Sequence, residues 1–137
     1  MVRVLVVDDS QSVRVQVSAT LSAAGFEIIE ATDGVDALEV IAANPGIDLM
    51  ILDVNMPRLD GLTMLETMVS TGVPAVKTVM LTTEAKAAMI ERGRRAGAKG
   101  WLVKPIKPEH LVAVVRRLTA GAGLTETGTS FVVPRGR

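Results

Sequence analysis

Four short, nearly unbroken apolar runs punctuate the chain: "VLVV" at 4–7, "LMIL" at 49–52, "TVMLT" at 78–82 and "GWLV" at 100–103. Each is too short for a helix, and each is rich in Val, Ile, Leu or an aromatic. Continuous runs of this kind suit strands covered on both faces, as in a parallel sheet. A fifth segment, "FEIIEA" at 26–31, interrupts its apolar residues with Glu27 and Glu30 and reads as a strand nearer a sheet edge. Between the runs the spacing turns helical. Leu111, Val114, Val115 and Leu118 fall at i, i+3, i+4 and i+7 on one face. Val13, Val17, Leu21 and Ala24 make a second stripe, Leu62, Leu65 and Val69 a third, and Ala37, Leu38 and Ile41 a shorter one. Gly25, Gly72 and Gly97 stand where left-handed helix caps are wanted. The pattern is strand-helix repeated five times. It predicts a doubly wound α/β domain with helices on both faces of a parallel sheet, over residues 1–120.

From Gly121 onward the helical pattern stops. "GAGLTETGTSFVVPRGR" at 121–137 carries four glycines and four hydroxyl residues and reads as a flexible tail. Its "SFVV" at 130–133 offers the alternative of docking on the domain or on a neighbouring chain.

Composition narrows the function more than the fold. There is no cysteine among the 137 residues, which excludes disulfides, thiolate zinc sites and cysteine nucleophiles. His110 is the single histidine, so histidine-rich metal sites are out. Fifteen basic residues balance fifteen acidic ones, and that neutrality gives no support to nucleic-acid binding by this chain. No apolar run approaches the roughly 18–20 residues a bilayer span needs. The start, "MVRVLVVDDS", lacks the features of a signal peptide. The expectation is a cytoplasmic protein without membrane insertion.

Candidate chemistry gathers at one place. In a parallel α/β sheet, ligands collect at the carboxyl ends of the strands. There the first strand ends in Asp8-Asp9, the third in Asp53 and the fourth in Thr82-Thr83, while the fifth runs into Lys104-Pro105. Each piece alone also fits a plain structural role. Asp8, Asp9 and Ser10 fit a cap for a helix starting near Gln11, Thr82 and Thr83 a cap for one beginning at Glu84, and Lys104 a solvated loop lysine. Together, at one sheet edge, they fit phosphoryl chemistry. Three carboxylates repel one another and call for a hard cation such as Mg2+. A lysine and a threonine hydroxyl can hold phosphoryl oxygens, and an aspartate can act as the nucleophile.

These residues resemble the receiver domain of two-component response regulators, most closely the stand-alone chemotaxis type. "VLVVDDS", "LDVNMPRLDGL", "VMLTTEA" and "GWLVKP" carry the resemblance, in the family's order and spacing, over about residues 2–119. It implies a flavodoxin-like (βα)5 fold with strand order 2-1-3-4-5. It implies Asp53 as phosphoacceptor, and Mg2+ held by Asp8, Asp9, Asp53 and the backbone carbonyl of Asn55. Lys104 would pair with the phosphate, before a cis bond to Pro105, and Thr82 would be the switch hydroxyl. Trp101 takes the switch aromatic position, where Tyr or Phe is more usual. An indole has no hydroxyl and rotates less freely, which bears on the amplitude of that switch; plain core packing is the other reading of Trp101. Asn55 and Glu84 match the residue types of regulators that lose phosphate quickly. The implied partners are a sensor histidine kinase of the chemotaxis CheA type, or a phosphotransfer protein, and a downstream protein target. That target would meet the face made by the fourth helix, fifth strand and fifth helix, where Arg92, Arg94 and Arg95 read either as a basic patch for an acidic target or as a solvated helix end.

Three rivals remain at this stage. A haloacid dehalogenase-like phosphatase also uses a strand-end aspartate and Mg2+, but needs a second acid where Asn55 stands. A receiver-fold binding module would work without phosphate. The chain is alternatively the receiver portion of a longer regulator.

Overall fold

A computed structural model describes residues 1–73 and 76–120. The tail expected over 121–137, with its docking alternative at 130–133, lies outside the described residues. Five strands, β1 (Arg3–Val7), β2 (Glu27–Ala31), β3 (Leu49–Asp53), β4 (Lys77–Thr82) and β5 (Gly100–Val103), alternate with α1 (Gln11–Ala23), α2 (Gly34–Ala43), α3 (Gly61–Ser70), α4 (Ala87–Arg95) and α5 (Pro108–Thr119). The strands form one parallel sheet in the order β2-β1-β3-β4-β5. The acid-interrupted β2 lies at an edge, as its broken apolar pattern predicts.

Two apolar layers explain why the central strands read as unbroken runs. One face of the sheet presents Leu5, Val7, Met50, Leu52, Met80 and Trp101 to α2, α3 and α4. The other presents Val4, Val6, Leu49, Ile51, Val79 and Leu81 to α1 and α5. Successive side chains point to opposite faces, and both faces are covered, so every position in β3 is buried. The α5 stripe is buried at all four of its predicted positions, and Val17 and Leu21 anchor α1.

Two local expectations are corrected. The buried face of α3 is Leu62, Met64, Leu65 and Met68, whereas Val69 is 66% exposed. The helix packs over the sheet between α2 and α4, and the two methionines, unbranched and adaptable, fill that irregular space. The fourth helix begins at Ala87 rather than at Glu84, and its cap residue, Lys86, makes no side-chain capping bond. Thr82 and Thr83 are therefore not its caps. Among the described residues, no helix is long and apolar enough to cross a membrane.

Candidate functional site

The register of the sheet sets the site. Val7 of β1 pairs with Leu52, Asp53 with Leu81, and Thr82 with Val103. The residues that follow or end these strands, Asp8, Asp53, Thr82 and Lys104, therefore emerge along one edge. Asp8, Asp53 and Thr82 are buried, while Asp9 is exposed. Carboxylate oxygens of Asp8, Asp9 and Asp53 lie within 4.8 Å of one another.

Asp8 is fixed from several sides. Its backbone N–H donates to the Ala31 carbonyl at 3.2 Å, and its own carbonyl accepts from Arg14 Nη1 at 2.6 Å. Its Oδ1 accepts from the Ser10 amide at 2.9 Å. Ser10, not either aspartate, caps α1, accepting from the Val13 amide at 3.4 Å. The other oxygen, Asp8 Oδ2, is buried without an aligned hydrogen bond, although Lys104 Nζ stands 3.0 Å away. Lys104 Nζ also lies 3.2 Å from Asp53 Oδ1, so a single ammonium bridges two buried carboxylates.

The charges respond to that crowding. Burial, and then repulsion from Asp8, push Asp53 up to about 6, against the opposing pull of Lys104. Burial works against the Lys104 ammonium, yet its contacts with Asp8 and Asp53 outweigh it and hold its pKa above the ordinary lysine value. Three acids against one lysine leave the pocket short of positive charge. The oxygen-only donor set, with a buried carboxylate oxygen lacking an aligned donor, fits a small hard divalent cation.

The β3–α3 loop carries Asn55, which is exposed two residues after Asp53. Gly61 opens α3 against the backbone of Asp53: a Cβ there would land on the Asp53 carbonyl oxygen. The Gly61 amide closes the loop on Val54 O at 2.9 Å, and Asp60 caps α3 by accepting from the Thr63 amide at 2.9 Å. Only glycine permits this approach of helix and strand end.

Across the sheet, the Thr82 hydroxyl oxygen accepts from the Glu84 amide at 3.2 Å. The Glu84 side chain is exposed, 3.9 Å from Lys86 Nζ. Trp101 is fully buried, with its indole N–H donating to the Glu84 carbonyl at 3.4 Å. One loop, from β4 to α4, thus touches both Thr82 and Trp101. The bond before Pro105 is cis.

The arginines of α4 do not form a free basic patch. Arg92 makes a forked pair with Glu66 of α3 at 2.8 Å, and Arg94 and Arg95 share Glu91 at 2.7 and 3.1 Å. Two residues that the sequence reading passed over also stand out. Asp33 caps α2, and Arg58, in the β3–α3 loop, binds it. The Asp-Gly step just ahead of the Ala37–Ile41 stripe is a cap signal that marks Asp33. Nothing local marks its partner 25 residues away.

Comparison with known proteins agrees with this fold. The model of the response regulator receiver domain matches residues 4–116. Response regulator MprA of Mycobacterium bovis is 41% identical over 117 residues, covering 85% of this chain and 50% of the relative. Transcriptional regulatory protein PrrA of Mycobacterium tuberculosis is 36% identical over 138 residues, covering 98% of this chain and 57% of the relative. The chain spans about half the length of the curated relatives it matches. Among solved structures, the Vibrio cholerae chemotaxis protein CheY4 superposes with a TM-score of 0.79 at 39% identity, covering 86% of this chain and 98% of that one. This chain belongs to the response regulator receiver domain family.

Proposed function

We propose that this receiver domain takes a phosphoryl group onto Asp53 in a Mg2+-dependent reaction and signals by changing the surface it offers to a partner. One observation carries the reading: Asp8, Asp9 and Asp53 converge within 4.8 Å, with Lys104 bridging the two buried members of the set. Asp8, Asp9, Asp53 and the Asn55 carbonyl would hold Mg2+, which supplies charge to offset the phosphoryl oxygens. An Asp53 carboxylate oxygen forms the new bond to phosphorus as the bond from phosphorus to the donor breaks. With a phosphohistidine donor, the electron pair of the P–N bond returns to the imidazole, which takes up a proton from solvent. Lys104 then exchanges its carboxylate partner for a phosphoryl oxygen, and Thr82 turns its hydroxyl from the Glu84 amide toward the new group. Trp101 is tied to the same loop through the Glu84 carbonyl, so a move at Thr82 reaches α4 by that route. Asn55 and Glu84 tune how fast water removes the phosphate, toward a short lifetime.

The donor is a sensor histidine kinase of the CheA type or a phosphotransfer protein. The output is either a stand-alone switch on the α4–β5–α5 face, in motility signalling, or the receiver half of a longer regulator. The half-length match to the mycobacterial regulators supports the second, and the near-full-length match to CheY4 supports the first.

Trp101 fluorescence, followed through additions of Mg2+ and then acetyl phosphate, tests the proposal in wild type and Asp53→Asn. Intact-mass analysis runs alongside. A phosphoryl group gained by wild type in Mg2+ and by none of the Asn variant is the expected result. Equal uptake by the variant would sink it.

A further inference from the structure

Arg58 has a positive φ of 67° and, among the described residues, is the single non-glycine to do so. A long side chain in the left-handed region is held there against its own preference, and the surrounding structure must supply the reason. Part of that reason is local, a tight turn in which the Leu59 amide donates to the Pro57 carbonyl at 2.7 Å across Arg58; the rest is Asp33. Arg58 Nε donates to Asp33 Oδ2 at 2.8 Å and Nη2 to Oδ1 at 2.9 Å, a planar two-point fork. Asp33 is itself immobilised as the cap of α2, accepting from the Asp36 amide at 2.8 Å. That amide, and then Arg58, hold its carboxyl below the ordinary aspartate range against the effect of burial. A steric contact reinforces the polar one, since a Cβ on Gly34 would come 2.8 Å from the Leu59 carbonyl oxygen. The middle of the β3–α3 loop is therefore docked on the start of α2. Its two ends are tied to each other by the Gly61–Val54 bond, and the first of them to β4, where the Val54 amide donates to the Leu81 carbonyl at 2.9 Å. Asn55 lies between the Asp53 end and the Arg58 anchor.

We propose that Arg58 is a positioning residue for the metal site: its fork on Asp33 holds the β3–α3 loop in the shape that presents the Asn55 carbonyl to the cation. The inference rests on the reading of Asp8, Asp9, Asp53 and Asn55 as the Mg2+ ligands.

Charge and positioning make opposite predictions here, which gives a clean test. Removing the Arg58 cation makes the neighbourhood more negative, so simple attraction predicts tighter Mg2+ binding. Loss of positioning predicts weaker binding. Mg2+ affinity would be measured by calorimetry on the full chain for wild type, Arg58→Gly, Arg58→Lys and Asp33→Asn, with melting temperatures in metal-free buffer. Glycine accepts the positive φ freely, so Arg58→Gly removes the fork without adding backbone strain. The expected result is Mg2+ binding weakened about threefold or more in Arg58→Gly, a smaller loss than the roughly 10–100-fold typical when a direct partner of a metal ligand is removed, because Arg58 acts through the loop. Arg58→Lys, which keeps the charge but not the fork, should fall short of wild type as well, with melting temperatures little changed. Affinity in Arg58→Gly equal to or tighter than wild type would overturn the proposal. So would losses across the variants that simply track melting temperature. An Asp9→Asn control separates the two levels. If wild type binds no Mg2+, or Asp9→Asn binds it as well as wild type, the ligand assignment itself has failed.

Discussion

Asp53 carries its charge at a cost to the fold. Burial, and then repulsion from Asp8, oppose its ionisation and push its carboxyl up to about 6 from the ordinary 3.8. An acid whose folded pKa is raised binds its proton more tightly folded than unfolded. Stability is therefore lost as pH rises from about 4 through 6, and the penalty is complete above that window. Asp53→Asn removes the penalty while keeping the shape. In denaturant titrations without metal, the variant should be more stable than wild type by about 1–3 kcal/mol at pH 8. The difference should shrink toward zero near pH 4, where wild type is protonated. A gain independent of pH would place its origin elsewhere. The position of this aspartate was legible because a lone acid ends a fully apolar strand. Its altered acidity was not, since that depends on the distance to Asp8 and on burial, which no run of residues states.

Among the helices, α4 shows how a small residue sets an interface. Gly93 is buried in the helix, and a Cβ there would meet Trp101 Cζ3 at 2.9 Å and Leu62 Cδ2 at 3.4 Å. Propensity favours alanine over glycine in a helix interior by roughly 1 kcal/mol. Overpacking against a rigid indole typically costs about 1–3 kcal/mol. Gly93→Ala should therefore destabilise the protein on balance and alter the emission of Trp101, because either the ring or the helix must yield. A variant as stable as wild type with unchanged emission would show that the interface adapts freely. Element by element, the sequence was most readable where one face alone is buried. The α5 stripe is such a case. It was misread on α3, where Met64 and Met68 carry the contact instead of Val69, because a stripe written in branched residues stands out more than one completed by methionines. The paired arginines of α4 show the same limit. Their charge was plain, but Glu66 lies on another helix and neutralises Arg92 only once the two helices pack.

At the scale of the molecule, the family match over residues 4–116 and the last turn of α5, at Thr119, end within a few residues of each other. The described members of both apolar layers lie between Val2 and Leu118. If the two apolar layers supply the stability, a chain ending at Ala120 unfolds cooperatively, within about 0.5 kcal/mol of the full chain. A larger loss in denaturant titration would mean that residues after 120 contribute to the fold. The overall topology was readable from the strand-helix rhythm together with the family's motifs. The Asp33–Arg58 tie was not, because it joins two loops whose proximity exists only after β1, β2 and β3 have assembled.

The order of the strands also has a consequence for how the protein is born. β1 leaves the ribosome before the other four strands yet occupies an interior place, with β2 on one side and β3 on the other. Once β3 has emerged, Asp8 and Asp53 can already be neighbours. Lys104, the cation that bridges them, is about fifty residues further along the message. At roughly 5–20 residues per second, several seconds of translation separate the two events. Any sheet of β1, β2 and β3 formed in that interval would hold its acidic edge without its own counter-charge. The magnesium of the surrounding medium is the nearest substitute, so the ion proposed for signalling would first serve the growing chain as a temporary lysine.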